Sequence, residues 1–329
     1  MKGELRSLLL PELRLFNEAI KGILSSPLSG KLGIAVSGGS DSLALLLLGA
    51  VSDFPVEAVT VDHGMRPEAA EEARFVAQIC QQIGVPHQIL TTKIEANGEG
   101  MQAAARIRRY ALMAEWAKEK NVGALMTAHH ADDQAETFLM RAARGSGLNG
   151  LAAIRPDVVI TAEGQKLRLL RPLLGFTRSA LAEIVKKAGF TFVSDPSNDN
   201  PHYDRTHFRR LLKASPWINR QHIAEAARYC QQSEEAIEWI TAKEAAARIR
   251  KKGEVLYLDP TELPIEILRR LVLRAMETIT GNTALRGSAL SRFIRSLQQG
   301  KKVMLADVIG QGGEYWRFYR APPRKKAVL

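Results

Sequence analysis

The sequence predicts an α/β fold, an open parallel sheet with helices on both faces, followed by a mainly helical C-terminal domain that carries a small β-ribbon. Three observations point there. From Leu32 onward, short β-branched or apolar runs alternate with longer helical stretches, which is how a parallel sheet covered by helices reads. A Ser-Gly-Gly-Ser turn follows the first of those runs, where an open sheet binds its ligand. Beyond about residue 204 the alternation stops and the pattern turns helical.

The elements follow in order. LGIAV (32–36) is a buried first strand, a helix is expected over 41–51, and VEAVTV (56–61) is the second strand. Pro67 opens the next helix, with Glu68, Glu71 and Glu72 near its positive end, and Gly84 closes it. HQILTT (87–92) is a third strand, a long helix covers 100–120, and GALMT (123–127) is a fourth strand before a helix that starts near Asp132 or Asp133. VVITAEGQKLRLLRPLL (158–174) reads as a hairpin turning at Glu163-Gly164 and ended by Arg171-Pro172. Thr177 caps a helix that stops at Gly189, and SDPSNDNPHYD (194–204) is a loop by composition. Helices over 218–252, 265–280 and 285–299 and a terminal β-ribbon near 303–320 complete the chain.

A length of 329 residues exceeds what one hydrophobic core usually organises. The expected division is a helical lead-in (1–30), an α/β catalytic domain (31–215) and a basic, mainly helical domain (216–329). Charge divides along the same line. Residues 1–200 hold 22 basic and 22 acidic side chains, whereas residues 201–329 hold 24 and 13, so the whole excess of +11 lies in the C-terminal part. A neutral catalytic half joined to a half that meets a polyanion has this pattern, and nucleic acid is the polyanion expected. Cys80 and Cys230 are too few for a disulfide framework or a Cys-rich zinc site. No apolar run approaches the ~18 residues of a membrane span, so a cytoplasmic protein with no membrane partner is expected.

Three segments carry chemistry. In SGGSDS (37–42), Gly38 and Gly39 let the backbone come close, and Ser37, Ser40 and Ser42 place hydroxyls beside the unpaired N–H groups of a helix start, a combination suited to phosphate or pyrophosphate. The Walker lysine is absent. AHHADDQAET (128–137) gathers His129, His130, Asp132, Asp133 and Glu136 at the same sheet edge, and its oxygen donors beside phosphates suit Mg²⁺. In MQAAARIRRYALM (101–113), Arg106 and Arg109 share a helix face and can hold a phosphate or an anionic transition state, while Arg108 points to solvent. VDHGMRP (61–67) adds Asp62, His63 and Arg66 as a wall of the nucleotide pocket. Arg141 and Arg144 precede a Gly-Ser-Gly that reads either as a loop closing over an anion or as a helix cap and connector.

Strand plus SGGSDS resembles the pyrophosphate loop of the N-type ATP pyrophosphatases, which activate a substrate carbonyl as its adenylate. The order SGGSDS, VDHGMR, AAARIRRY, HHADDQAET, RGSGLNGL, RPLL, DPSN and YDRTHFRR closely resembles the bacterial tRNA(Ile)-lysidine synthetases over about residues 30–210. That resemblance implies a carbon–nitrogen ligase using ATP and Mg²⁺. The wobble cytidine of a CAU-anticodon tRNA(Ile) would be adenylated at its C2 oxygen, and free L-lysine would then displace AMP through its side-chain amine. On this reading Ser37, Gly38, Gly39, Ser40, Asp41, Ser42, Asp62 and His63 bind the nucleotide, with the loop amides receiving the pyrophosphate. Asp41, Asp132 and Asp133 hold the metal and the lysine ammonium, Arg106 and Arg109 serve the transition state, and His130 or Asp132 takes the proton from the amine. Arg141, Arg144, Tyr203, Arg205, Arg209 and Arg210 contact tRNA, although Thr206 stands where the family commonly has Asn.

A sulfur-inserting tRNA enzyme, the nearest rival, would need a Cys-x-x-Cys pair, a persulfide-bearing cysteine or an iron–sulfur cluster, and no cysteine pairing suggests itself. A nucleotide- or RNA-binding protein without turnover would leave the HHADD cluster and the Arg106/Arg109 pair without a task. The oligomeric state, a homodimer included, is left open by the sequence.

Overall fold

The computed structural model describes residues 1–24, 28–62, 64, 67–92, 101–193, 204–281 and 287–322. His63, Arg66, Tyr203 and the DPSN segment lie outside them. Two compact units are present, Met1–Gln231 and Gln232–Leu329, and the division falls inside one helix, whereas the sequence places the start of the basic domain at 216.

The first unit is built on a six-stranded sheet. β1 (Lys31–Ala35), β2 (Val56–Asp62), β3 (His87–Thr91), β4 (Val122–Met126), β5 (Asp157–Ala162) and β6 (Gln165–Leu170) run in the order β3-β2-β1-β4-β6-β5. Five strands are parallel; β5 joins the edge antiparallel to β6, because Glu163 and Gly164 turn the chain at φ +48 and +79, the geometry of a tight hairpin. Both faces are covered. Successive residues of β4 alternate sides, so Ala124 and Met126 enter one core and Leu125 the other. The first core receives α3 (Ser40–Val51), α4 (Pro67–Ile83) and α8 (Arg178–Lys187), and the second is roofed by α5 (Met101–Glu119) through Met113 and Trp116.

The lead-in is part of this unit. α1 (Lys2–Leu8) and α2 (Leu10–Ile23) bury Leu9, Leu13, Phe16 and Ile20 in the first core, where each large side chain contributes roughly 2 kcal/mol. After β4 come α6 (Ala131–Ala143) and the single turn α7 (Leu148–Leu151); α9 (Asp204–Ala214) follows α8 and packs on α6.

In the second unit, two expectations change. α10 (Arg220–Arg248) stops short of 252, since Gly253 at φ +59 turns the chain between β7 (Ile249–Lys252) and β8 (Val255–Leu258). The terminal ribbon, β9 (Lys302–Leu305), β10 (Val308–Gln311) and β11 (Trp316–Arg320), joins that hairpin in a five-stranded antiparallel sheet ordered β7-β8-β11-β10-β9. α11 (Ile265–Thr280) and α12 (Gly287–Gln298) share its core, with Phe293 tilted on Phe318 at 6.4 Å between ring centres. Among the described residues no helix is long and apolar enough to cross a membrane.

Candidate active site

Parallel strands share a C-terminal edge, so the segments after β1, β4 and β6 leave the sheet there. The Ser-Gly loop leaves β1 and enters α3. Gly38 sits at φ +85, a region L side chains rarely adopt, and its carbonyl accepts the N–H of Val193 at 3.0 Å. Gly39 caps α3 in extended geometry, leaving the first N–H groups of the helix without intrahelical acceptors. Ser42 is turned inward. Its Oγ accepts the Ser37 N–H at 3.1 Å and donates to Gly39 O at 3.0 Å, so this hydroxyl shapes the loop. Ser37 Oγ lies 3.1 Å from Ser42 Oγ, and Ser40 donates to Asp41 Oδ1 at 3.2 Å.

Asp41 faces the end of β4. Its Oδ2 is 3.4 Å from His130 Nε2, while Asp133 Oδ2 is 3.6 Å from the same nitrogen and Asp132 Oδ2 is 3.7 Å from Nδ1. His130, 5% exposed, thus sits amid three carboxylates, and its Nδ1 makes no hydrogen bond. Burial opposes charge on this ring, yet the bond to Asp41 and the fields of Asp133, Asp41 and Asp132 raise its pKa. Burial likewise works against the Asp41 carboxylate, and His130, Arg178 and Ser40 outweigh it to hold the pKa below the ordinary value. α6 starts earlier than the sequence suggests. His130 is the N-cap and Asp133 lies three residues on, accepting the His130 N–H at 3.0 Å.

His129 points elsewhere. Its Nδ1 lies 2.9 Å from Thr127 Oγ1, and burial drives its pKa down to about 4; Asp133 opposes the shift, and Arg171, Arg205 and Arg106 add to it. Arg106 and Arg109 both lie over Tyr110, 5.1 and 5.4 Å from the ring centre. Arg108 pairs with Glu163 at 2.7 Å, a surface contact of little energy.

The remaining charges are drawn inward. Asp132 Oδ2 accepts the Arg178 N–H at 2.9 Å, and Oδ1 faces Arg220 Nε at 3.2 Å. Glu136, 3% exposed, accepts Arg205 Nε at 2.6 Å and Arg209 Nε at 2.8 Å, and Arg205 also binds Asp133. A carboxylate this buried demands such cations. Spacing by one turn of α9 puts both arginines on the face toward α6; the sequence shows their charge but not that direction. Thr206 between them is buried. Arg141 donates to Gly150 O at 2.9 Å and Ala153 O at 3.0 Å, pinning the turn after α6, while Arg144 and Arg210 are exposed. Asp62 accepts the Gly64 N–H at 2.9 Å at the end of β2.

Hard carboxylate oxygens at Asp41, Asp132 and Asp133 have the donor chemistry of Mg²⁺. No group of three such side chains among the described residues is arranged to hold a metal by itself, so phosphate oxygens would have to complete the shell. Sulfur chemistry finds little support. Burial pushes the Cys80 thiol up to about 12, and Cys230 lies on α10 away from any second cysteine among the described residues.

Residues 13–215 match a family model described as a PP-loop domain. The chain is 39% identical over 304 residues to the tRNA(Ile)-lysidine synthase of Novosphingobium aromaticivorans, spanning 90% of this chain and 91% of that protein. It is 38% identical over 299 residues to the enzyme of the same name from Ruegeria pomeroyi, spanning 86% and 69%. In fold it is similar to the U34-tRNA thiolase from Methanococcus maripaludis, with a TM-score of 0.54 and 14% identity over 70% of this chain and 80% of that one.

Proposed function

Because the chain belongs to the PP-loop domain family and to the tRNA(Ile)-lysidine synthase family, we propose that it joins L-lysine to C2 of the wobble cytidine in CAU-anticodon tRNA(Ile), by way of an adenylated tRNA. Its coarser character, an ATP-dependent enzyme of tRNA modification, follows from membership. The observation that carries the finer reading is Asp41 at the mouth of the Ser-Gly loop, in contact with His130 and backed by Asp132 and Asp133.

In the first step the cytidine C2 oxygen attacks the α-phosphorus of ATP and pyrophosphate leaves. N–H groups at the start of α3 meet the charge that gathers on the departing phosphates, as fixed donors in a dry site do. Asp41 with Asp132 or Asp133 would hold Mg²⁺, whose contribution when bound is to neutralise phosphate charge. In the second step the lysine amine attacks C2 and AMP leaves. The amine arrives as an ammonium, which the carboxylates attract, and it must lose a proton to become a nucleophile; His130 or Asp132 accepts that proton.

The tRNA would be met by exposed cations and aromatics. Arg210 and Arg144 are exposed, Trp217 is 82% exposed, and Arg228 lies 4.6 Å from the centre of the exposed Tyr229 ring, the mixture that stacks on unpaired bases. The cytoplasm supplies all three substrates.

The test supplies ATP, Mg²⁺, labelled lysine and a CAU-anticodon tRNA(Ile) to the full chain. Label should enter the RNA while AMP and pyrophosphate form in equal amounts. Failure of label to enter the RNA at saturating substrates would remove the assignment.

A further inference from the structure

Successive residues of a strand point to opposite faces, and in the second unit only one face of the sheet is spent on the core. Leu256 and Leu258 of β8, Val308 of β10 and Trp316 and Phe318 of β11 enter the core shared with α11 and α12. Register then fixes the other face. Arg317 stands opposite Tyr257 on β8 and Gln311 on β10, Tyr257 stands opposite Arg250 on β7, and Gln311 stands opposite Lys302 on β9. One row across all five strands therefore reads Arg250, Tyr257, Arg317, Gln311, Lys302. Tyr319, two residues beyond Arg317, shares this face and is diagonal to Tyr257, a separation of about 7–8 Å between backbones. Arg250, Lys302 and Arg317 are exposed, and both tyrosines are half-buried and outside the core.

Charge on this face has one sign. The five strands contain six basic residues and no Asp or Glu. The helices of the unit spend their cations internally, Arg248 on Glu244, Arg270 on Glu234 and Arg274 on Glu238. On the sheet, cations lie beside rings instead: Arg317 is 5.9 Å from the centre of Tyr257 and Lys302 is 5.7 Å from the centre of Tyr319. Such a face suits a polyanion that also carries flat groups. Single-stranded RNA is one, since its phosphates meet the cations while its unpaired bases stack on the tyrosines; a duplex, with its bases already stacked, engages the cations alone. We propose that this open sheet face binds unpaired nucleotides of RNA by stacking on Tyr257 and Tyr319. The proposal goes beyond the ligase reading, because it requires no ATP, no lysine and no CAU anticodon, and a chain that transfers no lysine could still bind RNA here.

The experiment measures fluorescence anisotropy of a labelled oligouridine of about twelve nucleotides with the full chain, without ATP or lysine, beside an RNA duplex of equal length and a polyglutamate peptide. The single strand should bind most tightly. Tyr257→Ala and Tyr319→Ala should each weaken it roughly tenfold and leave duplex binding nearly unchanged, and Tyr257→Phe and Tyr319→Phe, which keep the ring, should restore it. Arg250→Gln combined with Lys302→Gln alters only exposed side chains, so it reads out even where an alanine variant fails to fold. It should flatten the dependence of log Kd on log salt by about 0.7 for each cation removed. Alanine variants that fold and bind as wild type does, an unchanged salt slope in the glutamine pair, or an oligouridine held no better than the duplex or the peptide would each overturn the proposal, whatever the outcome of the lysine assay.

Discussion

Two networks of arginines and acids, one in each unit, have similar composition and opposite degrees of completion. In the second unit Arg270 spends its whole guanidinium. Nε donates to Glu266 at 2.8 Å, and Nη1 and Nη2 donate to the two oxygens of Glu234 at 2.8 and 2.7 Å, while Arg274 binds Glu238. In the first unit, His130 Nδ1, Arg109 Nε and Arg171 Nε are buried without a hydrogen-bond partner among the described residues. A saturated network ties α10 to α11 and has no capacity left for a ligand. An unsaturated one leaves donors and acceptors uncommitted, at a cost in stability.

That contrast can be broken by substitution. The largest effect is expected at Asp41. Asp41→Asn is nearly isosteric but removes the charge beside His130, and lysine transfer should fall about a hundredfold or more with little change in melting temperature. A wild-type rate per folded molecule would take Asp41 out of the chemistry.

Next in size is the effect on stability. Arg270→Ala leaves Glu234 buried and unpaired and should cost about 3 kcal/mol in urea unfolding. Arg171→Gln gives up one bond to a carbonyl and should cost only about 1 kcal/mol. Equal losses in the two variants would erase the distinction between the networks.

The smallest effect is one of pH. The Glu266 carboxyl is held below its ordinary value of 4.5 first by the bond to Arg269, against burial, and then by Arg270. A lowered folded-state value stabilises the protein above pH 4.5, and that contribution is lost as pH falls through the folded-state value. Glu266→Gln should therefore flatten the fall in urea midpoint between pH 6 and pH 3, and an unaltered slope would show that the network does not set the acid response.

Much of the fold could be read from sequence because hydrophobic period and turn chemistry agree there. The four β/α units, the turn at Glu163-Gly164 and the Thr177 cap, whose Oγ accepts the Ala180 N–H at 3.2 Å, all follow from local rules. β7 and β8 did not, since the polar run RIRKKGEV continues the composition of α10 and only the partner strand β11 makes it a sheet. At the site, residue types were legible and directions were not. Arg205 and Arg209 read as an RNA-facing pair, yet in the fold their guanidinium groups lie on Glu136, because a nearly fully buried acid outcompetes solvent for them. Arg171 reads as the end of a hairpin, and the pairing of Leu170 with Met126 places it where β6 and β4 both end.

The extended exit of β4 has a consequence for how this site tolerates change. Adjacent imidazoles are shifted in opposite senses: burial suppresses the basicity of His129, whereas at His130 the bond to Asp41 and the fields of Asp133 and Asp132 outweigh burial. A single-residue deletion between Met126 and Ala131 would shift both rings by one place against the strand and take His130 away from Asp41. Spacing at that junction is therefore a parity condition, satisfied or violated as a whole, and side-chain chemistry alone cannot repair it.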